Sequence, residues 1–234
     1  MSIAGVLFDK DGTLIDVNAT WVPIYREVLM ELFATDAAGA EALMARGGYD
    51  PASGKFRAGS ILAGGTTRQI AEIWWPGLAA AELDAKVHAL DNDYTHLVRN
   101  RLAPLAPLEP ILSELRGMGL RLGIATNDSH VSATAHMAEI GAIAHFEDII
   151  AADTVAIPKP SGQMVRRFSE VTGLPPKAIA MVGDNHHDME EARAGGAGLA
   201  IAVLSGNASY DDIAHLADHT IDSVADLPAL LRSL

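Results

Sequence analysis

The chain has 234 residues, a formal charge of −13 at pH 7, 49% hydrophobic residues and no cysteine. A chain of this length buries a large core, as one domain or as a core carrying an insert. Acidic residues spread along it exclude a nucleic-acid-binding surface, which needs clustered Lys and Arg, and the missing thiols exclude cysteine catalysis, disulfide staples and Cys-ligated zinc.

The first apolar segment runs straight into Asp9, without the basic region, long apolar core or cleavage site of a signal peptide, and no later apolar run approaches bilayer length. A cytoplasmic enzyme is the expectation. Residues Val6-Leu7-Phe8-Asp9-Lys10-Asp11-Gly12-Thr13-Leu14 read as a buried strand ending in two carboxylates and a glycine turn. Side chains alternate along extended backbone, so Asp9 and Asp11 are expected to project together and Lys10 to point away. Gly12 lets the chain bend around whatever binds there. Like charges this close need a cation, a shared proton or an acid/base role to keep them apart.

About a hundred residues then separate the first strand from the second, far more than one crossover requires. An all-helical insert over residues 17–100 accounts for them, leaving 1–16 and 101–234 as the core domain. Trp21, Tyr25, Val28, Leu29, Leu32 and Phe33 form one apolar helical stripe. Asp36 and Thr66 can cap two further helices, and 80–100 reads as a fourth. The exits, near Asp16 to Asn18 and in the proline-rich 104–110, are candidate hinges.

Beyond the insert, apolar runs at 120–126, 148–151, 178–183 and 198–204 alternate with helical patterns at 129–140, 161–172 and 187–195. That alternation predicts an α/β fold with a doubly wound, Rossmann-like parallel sheet. Such sheets bind ligands at the carboxyl ends of their strands. Those ends carry Asp9 and Asp11, then Thr126-Asn127-Asp128, Pro158-Lys159-Pro160, and Gly183-Asp184-Asn185-His186-His187-Asp188. A nucleophile, a hydroxyl donor, a cation and a second acidic cluster therefore share one rim.

This ordered set resembles the haloacid dehalogenase superfamily, in particular its phosphatases with a helical cap inserted after the first strand, the phosphoglycolate phosphatase-like branch. The resemblance covers nearly the whole chain. It implies Asp9 as the nucleophile that forms an aspartyl-phosphate and Asp11 as the general acid and base. It also implies Mg2+ held by Asp9, the main-chain carbonyl of Asp11 and Asp184. Thr126 and the amide of Asn127 would bind phosphate oxygens, Lys159 would meet the phosphoryl charge, and Asp188 would hold Lys159 or a metal-bound water. Pro158 and Pro160 restrict the backbone around Lys159.

The chain departs from the family pattern at Lys10, where an apolar residue is common, and at Asn185, where a small hydroxyl residue is frequent. Adjacent His186 and His187 do not face one ion together, so a histidine metal site is not expected. The presence of Asp11 argues against dehalogenase and phosphonate-hydrolase chemistry. A phosphomutase of the β-phosphoglucomutase type keeps all the motifs, and an idle binding or regulatory module on this fold is the reading from another class. The expected partner is a small phosphorylated metabolite, with neither nucleic acid nor membrane; the sequence leaves a homodimer open. If that metabolite is phosphoglycolate, Lys55 or Arg57 of the Gly-rich 46–68 segment is the candidate to meet its carboxylate.

Overall fold

The computed structural model describes residues 2–234; Met1, the first residue of the range expected for the core, lies outside them. Strand β1 (Gly5–Phe8) is four buried residues. After it come α1 (Val17–Leu32), α2 (Ala37–Arg46), β2 (Tyr49–Asp50), β3 (Lys55–Phe56), α3 (Ile61–Gly64), α4 (Thr67–Trp74) and α5 (Ala80–Leu97). The chain then resumes alternation with α6 (Leu108–Gly117), β4 (Arg121–Thr126), α7 (His130–Glu139), β5 (Ile149–Ala151), α8 (Gln163–Thr172), β6 (Ile179–Gly183) and α9 (His186–Gly195). It ends with β7 (Leu199–Val203), α10 (Tyr210–Ile213), β8 (His219–Ile221) and α11 (Leu227–Ser233).

Six strands form one sheet in the order β5-β4-β1-β6-β7-β8, with every pairing parallel. Both faces are covered, which is why the strands read as continuous apolar runs rather than as alternating ones. Period-two alternation sorts their side chains. Val6, Phe8, Ile124 and Val182 pack on one face with Leu112 and Leu115 of α6 and Met137 of α7. Leu7, Ala125 and Met181 face the other side, against Met164 and Phe168 of α8 and Met189 of α9. This is the expected doubly wound α/β architecture.

Residues Val17 to Val98 contribute a separate apolar cluster in which Trp21, Ile24, Tyr25 and Leu29 of α1 pack with Ile70 and Trp74 of α4 and Leu90 and Tyr94 of α5. The start of α1 is fixed by Asp16, whose carboxylate accepts from the N–H groups of Asn18 and Ala19 at 2.9 Å each. Asp36 caps α2 in the same manner, and Thr66 with Gln69 forms a capping box on α4. Leu32, placed on the apolar stripe by its spacing, is 40% exposed because α1 ends there.

Two features differ from the sequence expectation. The segment expected to be all-helical also carries the short antiparallel pair β2–β3, in which Tyr49 opposes Phe56 with ring centroids 6.0 Å apart. And α6 begins inside the proline-rich 104–110 segment that read as a hinge. Its prolines are compatible with the helix because Pro107 precedes the first turn and Pro110 sits inside it, where no backbone N–H has an intrahelical acceptor to lose. The two connections to residues 17–98 run side by side, tied by Asp16 N–H to the Ala103 carbonyl at 2.8 Å and Leu105 N–H to the Leu14 carbonyl at 3.0 Å.

Candidate active site

Register brings the rim together. Phe8 pairs with Ile124 on one side and Val182 on the other, so Asp9, Thr126 and Gly183 emerge at the carboxyl edge of three adjacent strands. The Asp9 N–H donates to the Val182 carbonyl at 2.8 Å, anchoring the first residue past β1. Gly12 follows at φ +91, and a side chain there would collide with the carboxylate of Asp184, as would one at Gly206. These two glycines make the space that Asp184 occupies. Ser205 donates its hydroxyl to the Gly12 carbonyl at 2.8 Å and holds that turn against the end of β7.

Lys159 Nζ donates to Asp9 Oδ1 at 2.6 Å and to Asp188 Oδ1 at 2.7 Å, and its side chain is 4% exposed. The second oxygen of Asp188 accepts from the Asn185 N–H at 3.0 Å. Both Asp188 oxygens are therefore engaged. Asp9 Oδ2 is buried without a protein partner. Asp9, Asp184 and Asp188 can bring one carboxylate oxygen each within 4.8 Å of one another.

Three buried carboxylates thus lie around one ammonium, and the imbalance raises Asp9 and Asp184. Burial raises Asp9 to about 7, with Lys159 opposing and Asp188 adding to the rise. Burial, then the charges of Asp9 and Asp188, pushes Asp184 well above the usual carboxylate range. Lys159 loses affinity for its proton through burial, but Asp188 and Asp9 more than compensate and hold it firmly protonated. The excess negative charge, the all-oxygen donors and the unpartnered Asp9 Oδ2 fit a hard divalent cation such as Mg2+.

Thr126 is 2% exposed, and its hydroxyl oxygen accepts from the Asp128 N–H at 3.1 Å, which leaves the hydroxyl proton free for a ligand. Asn127 acts through its side chain as well as its backbone. Its Oδ1 accepts from the Lys159 N–H at 3.1 Å while its Nδ2 donates to the Gly64 carbonyl at 2.9 Å, joining the loop that bears the cation to the end of α3.

Strand alternation rightly keeps Lys10 off the pocket lining but does not anticipate its contact with Asp11. Because β1 ends at Phe8, the alternating rule lapses before this residue, and the side chain folds back into the interior with no exposure. Its ammonium lies 2.5 Å from Asp11 Oδ2 and 3.3 Å from Asp128 Oδ2, and donates to His136 Nδ1 at 3.2 Å. His136 Nε2 meets the Ser132 hydroxyl at 3.1 Å. With Nδ1 accepting from Lys10, the proton belongs on Nε2, which donates to Ser132. Burial first, and then the Lys10 charge, lowers His136 to about 3. Asp11 Oδ1 accepts from the indole N–H of Trp21 at 2.7 Å. The side chain of Asp11 therefore lies apart from the carboxylate cluster around Lys159.

A pocket opens between these groups and α1, α3, α4 and α5. Its core wall includes Asp9, Asp11, Thr126, Asn127, Lys159 and Asp184, and its opposite wall Trp21, Tyr25, Leu62, Ile70 and Tyr94. Lys55 and Arg57 are exposed on and beside β3 and do not line it. The expectation that one of them faces the substrate is corrected accordingly: the β2–β3 pair turns both outward. His187 does line the pocket, whereas His130 is exposed at the start of α7. Sequence spacing gives Trp21 only a packing role, puts Asp128 on the rim without a partner, leaves Tyr94 unmarked within the helix read over 80–100, and offers no signal for His136, whose contacts span the fold.

A family model described as haloacid dehalogenase-like hydrolase matches residues 3–196. Phosphoglycolate phosphatase of Chromobacterium violaceum is 36% identical over 122 residues, which is 52% of this chain and 54% of that protein, so the match spans about half of that relative. Pyrophosphatase PpaX of Bacillus velezensis is 25% identical over 228 residues, covering 96% of this chain and 94% of its own. Among solved structures, a predicted phosphoglycolate phosphatase from Haemophilus somnus superposes with a TM-score of 0.75 at 19% identity over 98% of both chains, a likeness of fold.

Proposed function

This chain belongs to the haloacid dehalogenase-like hydrolase family and is a phosphatase, and on that premise we propose that it hydrolyses a small phosphate monoester through an aspartyl-phosphate on Asp9. The observation that carries the reading is the state of Asp9: Lys159 holds one oxygen at 2.6 Å, and the other is buried without a partner at the floor of the pocket. An acid this desolvated is a stronger nucleophile than one in water, and the ammonium beside it also neutralises an incoming phosphoryl group.

A carboxylate oxygen of Asp9 forms the bond to phosphorus as the ester oxygen leaves, and Asp11 gives that oxygen its proton. Water then attacks the phosphorus, Asp11 takes the water's proton, and the bond to Asp9 breaks to release inorganic phosphate. Thr126 and the Asn127 amide donate to the non-bridging oxygens, while Lys159 offsets their growing charge. Asp188 positions Lys159 through its 2.7 Å contact. Asp9, Asp184 and the main-chain carbonyl of Asp11 are the proposed holders of Mg2+, which when bound supplies charge neutralisation at the phosphoryl oxygens.

The test is release of inorganic phosphate from a panel of phosphate esters by purified protein in Mg2+. Wild type is expected to exceed Asp9→Asn on at least one ester by several orders of magnitude. Equal rates across the panel would remove the reading, and a rearranged ester without phosphate release would point to a phosphomutase instead.

A further inference from the structure

We propose that the alcohol this enzyme releases is small, uncharged and hydroxylated, so that the pocket selects against esters whose leaving group carries a carboxylate or a second phosphate. The inference rests on the phosphatase reading and concerns the part of the pocket beyond the phosphoryl group.

The cations decide the sign. Lys159 is the only Lys or Arg among the described residues that line the pocket, and both of its short contacts are to Asp9 and Asp188. Lys10 sits behind the lining, with Asp11 and Asp128 on its ammonium and no exposed surface. Lys55 and Arg57 face solvent, and Arg68 at the start of α4 pairs with Asp84. An anionic leaving group would therefore enter a confined space with Asp11 and Asp128 on its wall and no Lys or Arg free to meet it, His187 being the one other basic group on the lining among the described residues. Like charges in so poorly solvated a volume repel far more than they do in water.

The opposite wall suits a neutral group. Trp21, Tyr25 and Tyr94 pack as an aromatic cluster, with centroids 5.3 Å to 5.7 Å apart, and offer apolar faces for methylene groups. Tyr94 is 2% exposed, and its hydroxyl has no hydrogen-bond partner. A buried phenol rarely stays unpaired without reason, because the unmade bond costs free energy. A hydroxyl on the leaving alcohol supplies the missing partner.

Two esters that differ only at the far end test this: 2-hydroxyethyl phosphate and phosphoglycolate, assayed with wild-type enzyme and Mg2+, with 4-nitrophenyl phosphate as the reference for general activity. The expected result is a kcat/KM for 2-hydroxyethyl phosphate higher by on the order of tenfold or more. Tyr94→Phe should then lower kcat/KM for 2-hydroxyethyl phosphate by a clearly larger factor than for ethyl phosphate. Equal or better turnover of phosphoglycolate overturns the inference while leaving the phosphatase reading intact. An equal loss on both alkyl esters in Tyr94→Phe overturns the hydroxyl contact. Wild type matching Asp9→Asn on every ester, the aryl one included, takes down the phosphatase reading itself and the inference with it.

Discussion

Trp21 donates its indole N–H to Asp11 across 2.7 Å, so a residue of α1 in the insert holds one oxygen of the carboxylate assigned to proton transfer. Lys10 holds the other at 2.5 Å. The insert and the sheet therefore position the same side chain from opposite sides. Replacing Trp21 by Phe keeps most of the packing against Tyr25 and Tyr94 and removes the donor. Steady-state kinetics should show kcat reduced by about tenfold with a smaller change in KM, because a lost hydrogen bond of about 1.5 kcal/mol acts on the reacting geometry. An unchanged kcat would show that Lys10 alone suffices.

Lys10 is a buried cation with carboxylates on two sides, and such a group is costly to remove alone. Lys10→Met leaves Asp11 and Asp128 uncompensated, and urea denaturation should show a loss of about 3 to 5 kcal/mol. Adding Asp128→Asn removes one stranded charge. The double variant should be more stable than the single one, a sign that a purely steric role for Lys10 would not produce.

His136 makes stability depend on pH in a definite direction. Its folded value, lowered to about 3, lies below the ordinary 6.5, so between those limits the unfolded chain binds a proton that the folded chain refuses. Stability contributed by the neutral imidazole is present above pH 6.5 and is lost as pH falls. The loss runs at up to about 1.4 kcal/mol per unit, or roughly 2 kcal/mol at pH 5. His136→Gln, which keeps a polar group beside Lys10, should flatten the wild-type fall between pH 7 and 5 when the two are compared by denaturation. Parallel profiles would contradict the assignment.

The acidic cluster behaves in the opposite sense. Asp9, raised to about 7, contributes stability that is present at low pH and lost as pH rises toward that value. A divalent cation bound between Asp9 and Asp184 relieves the repulsion. Saturating Mg2+ should therefore raise the thermal midpoint more at pH 8 than at pH 6, where protons compete for the same oxygens. At a hundred times its dissociation constant the ion adds about 2.7 kcal/mol. Asp184→Asn should lose most of that gain; an equal shift in wild type and variant would place the ion elsewhere.

The strands that carry the rim were legible because β4, β6 and β7 are covered on both faces and their sequences show it as short apolar runs closed by polar turns. Helix starts at Asp36 and Thr66 were legible because their side chains satisfy the first N–H groups locally, whereas Asp16, read only as an exit from the insert, caps α1 in the same way. What escaped was whatever depends on direction past the end of a regular element. Lys10 follows β1 by two residues and turns inward to reach His136, a partner 126 positions away that no local pattern announces. Charge alone points to Lys55 and Arg57, and only the β2–β3 pairing determines that they face outward. Pro107 and Pro110 disguised α6 because proline breaks a helix in the middle yet suits its first turn.

The central place of β1 has a bearing on how the protein is made. Its residues Gly5 to Phe8 are synthesised well before their neighbours in the sheet, Arg121 to Ile124 and Ile179 to Val182. During synthesis the strand that leads into Asp9 waits for one flank until β4 has emerged and for the other until β6 has, while residues 17–98 can already gather their own apolar cluster. A nascent chain stalled short of Ile179 lacks Asp184 and Asp188 and keeps one edge of β1 bare, so the candidate site is among the last features of the fold to be completed.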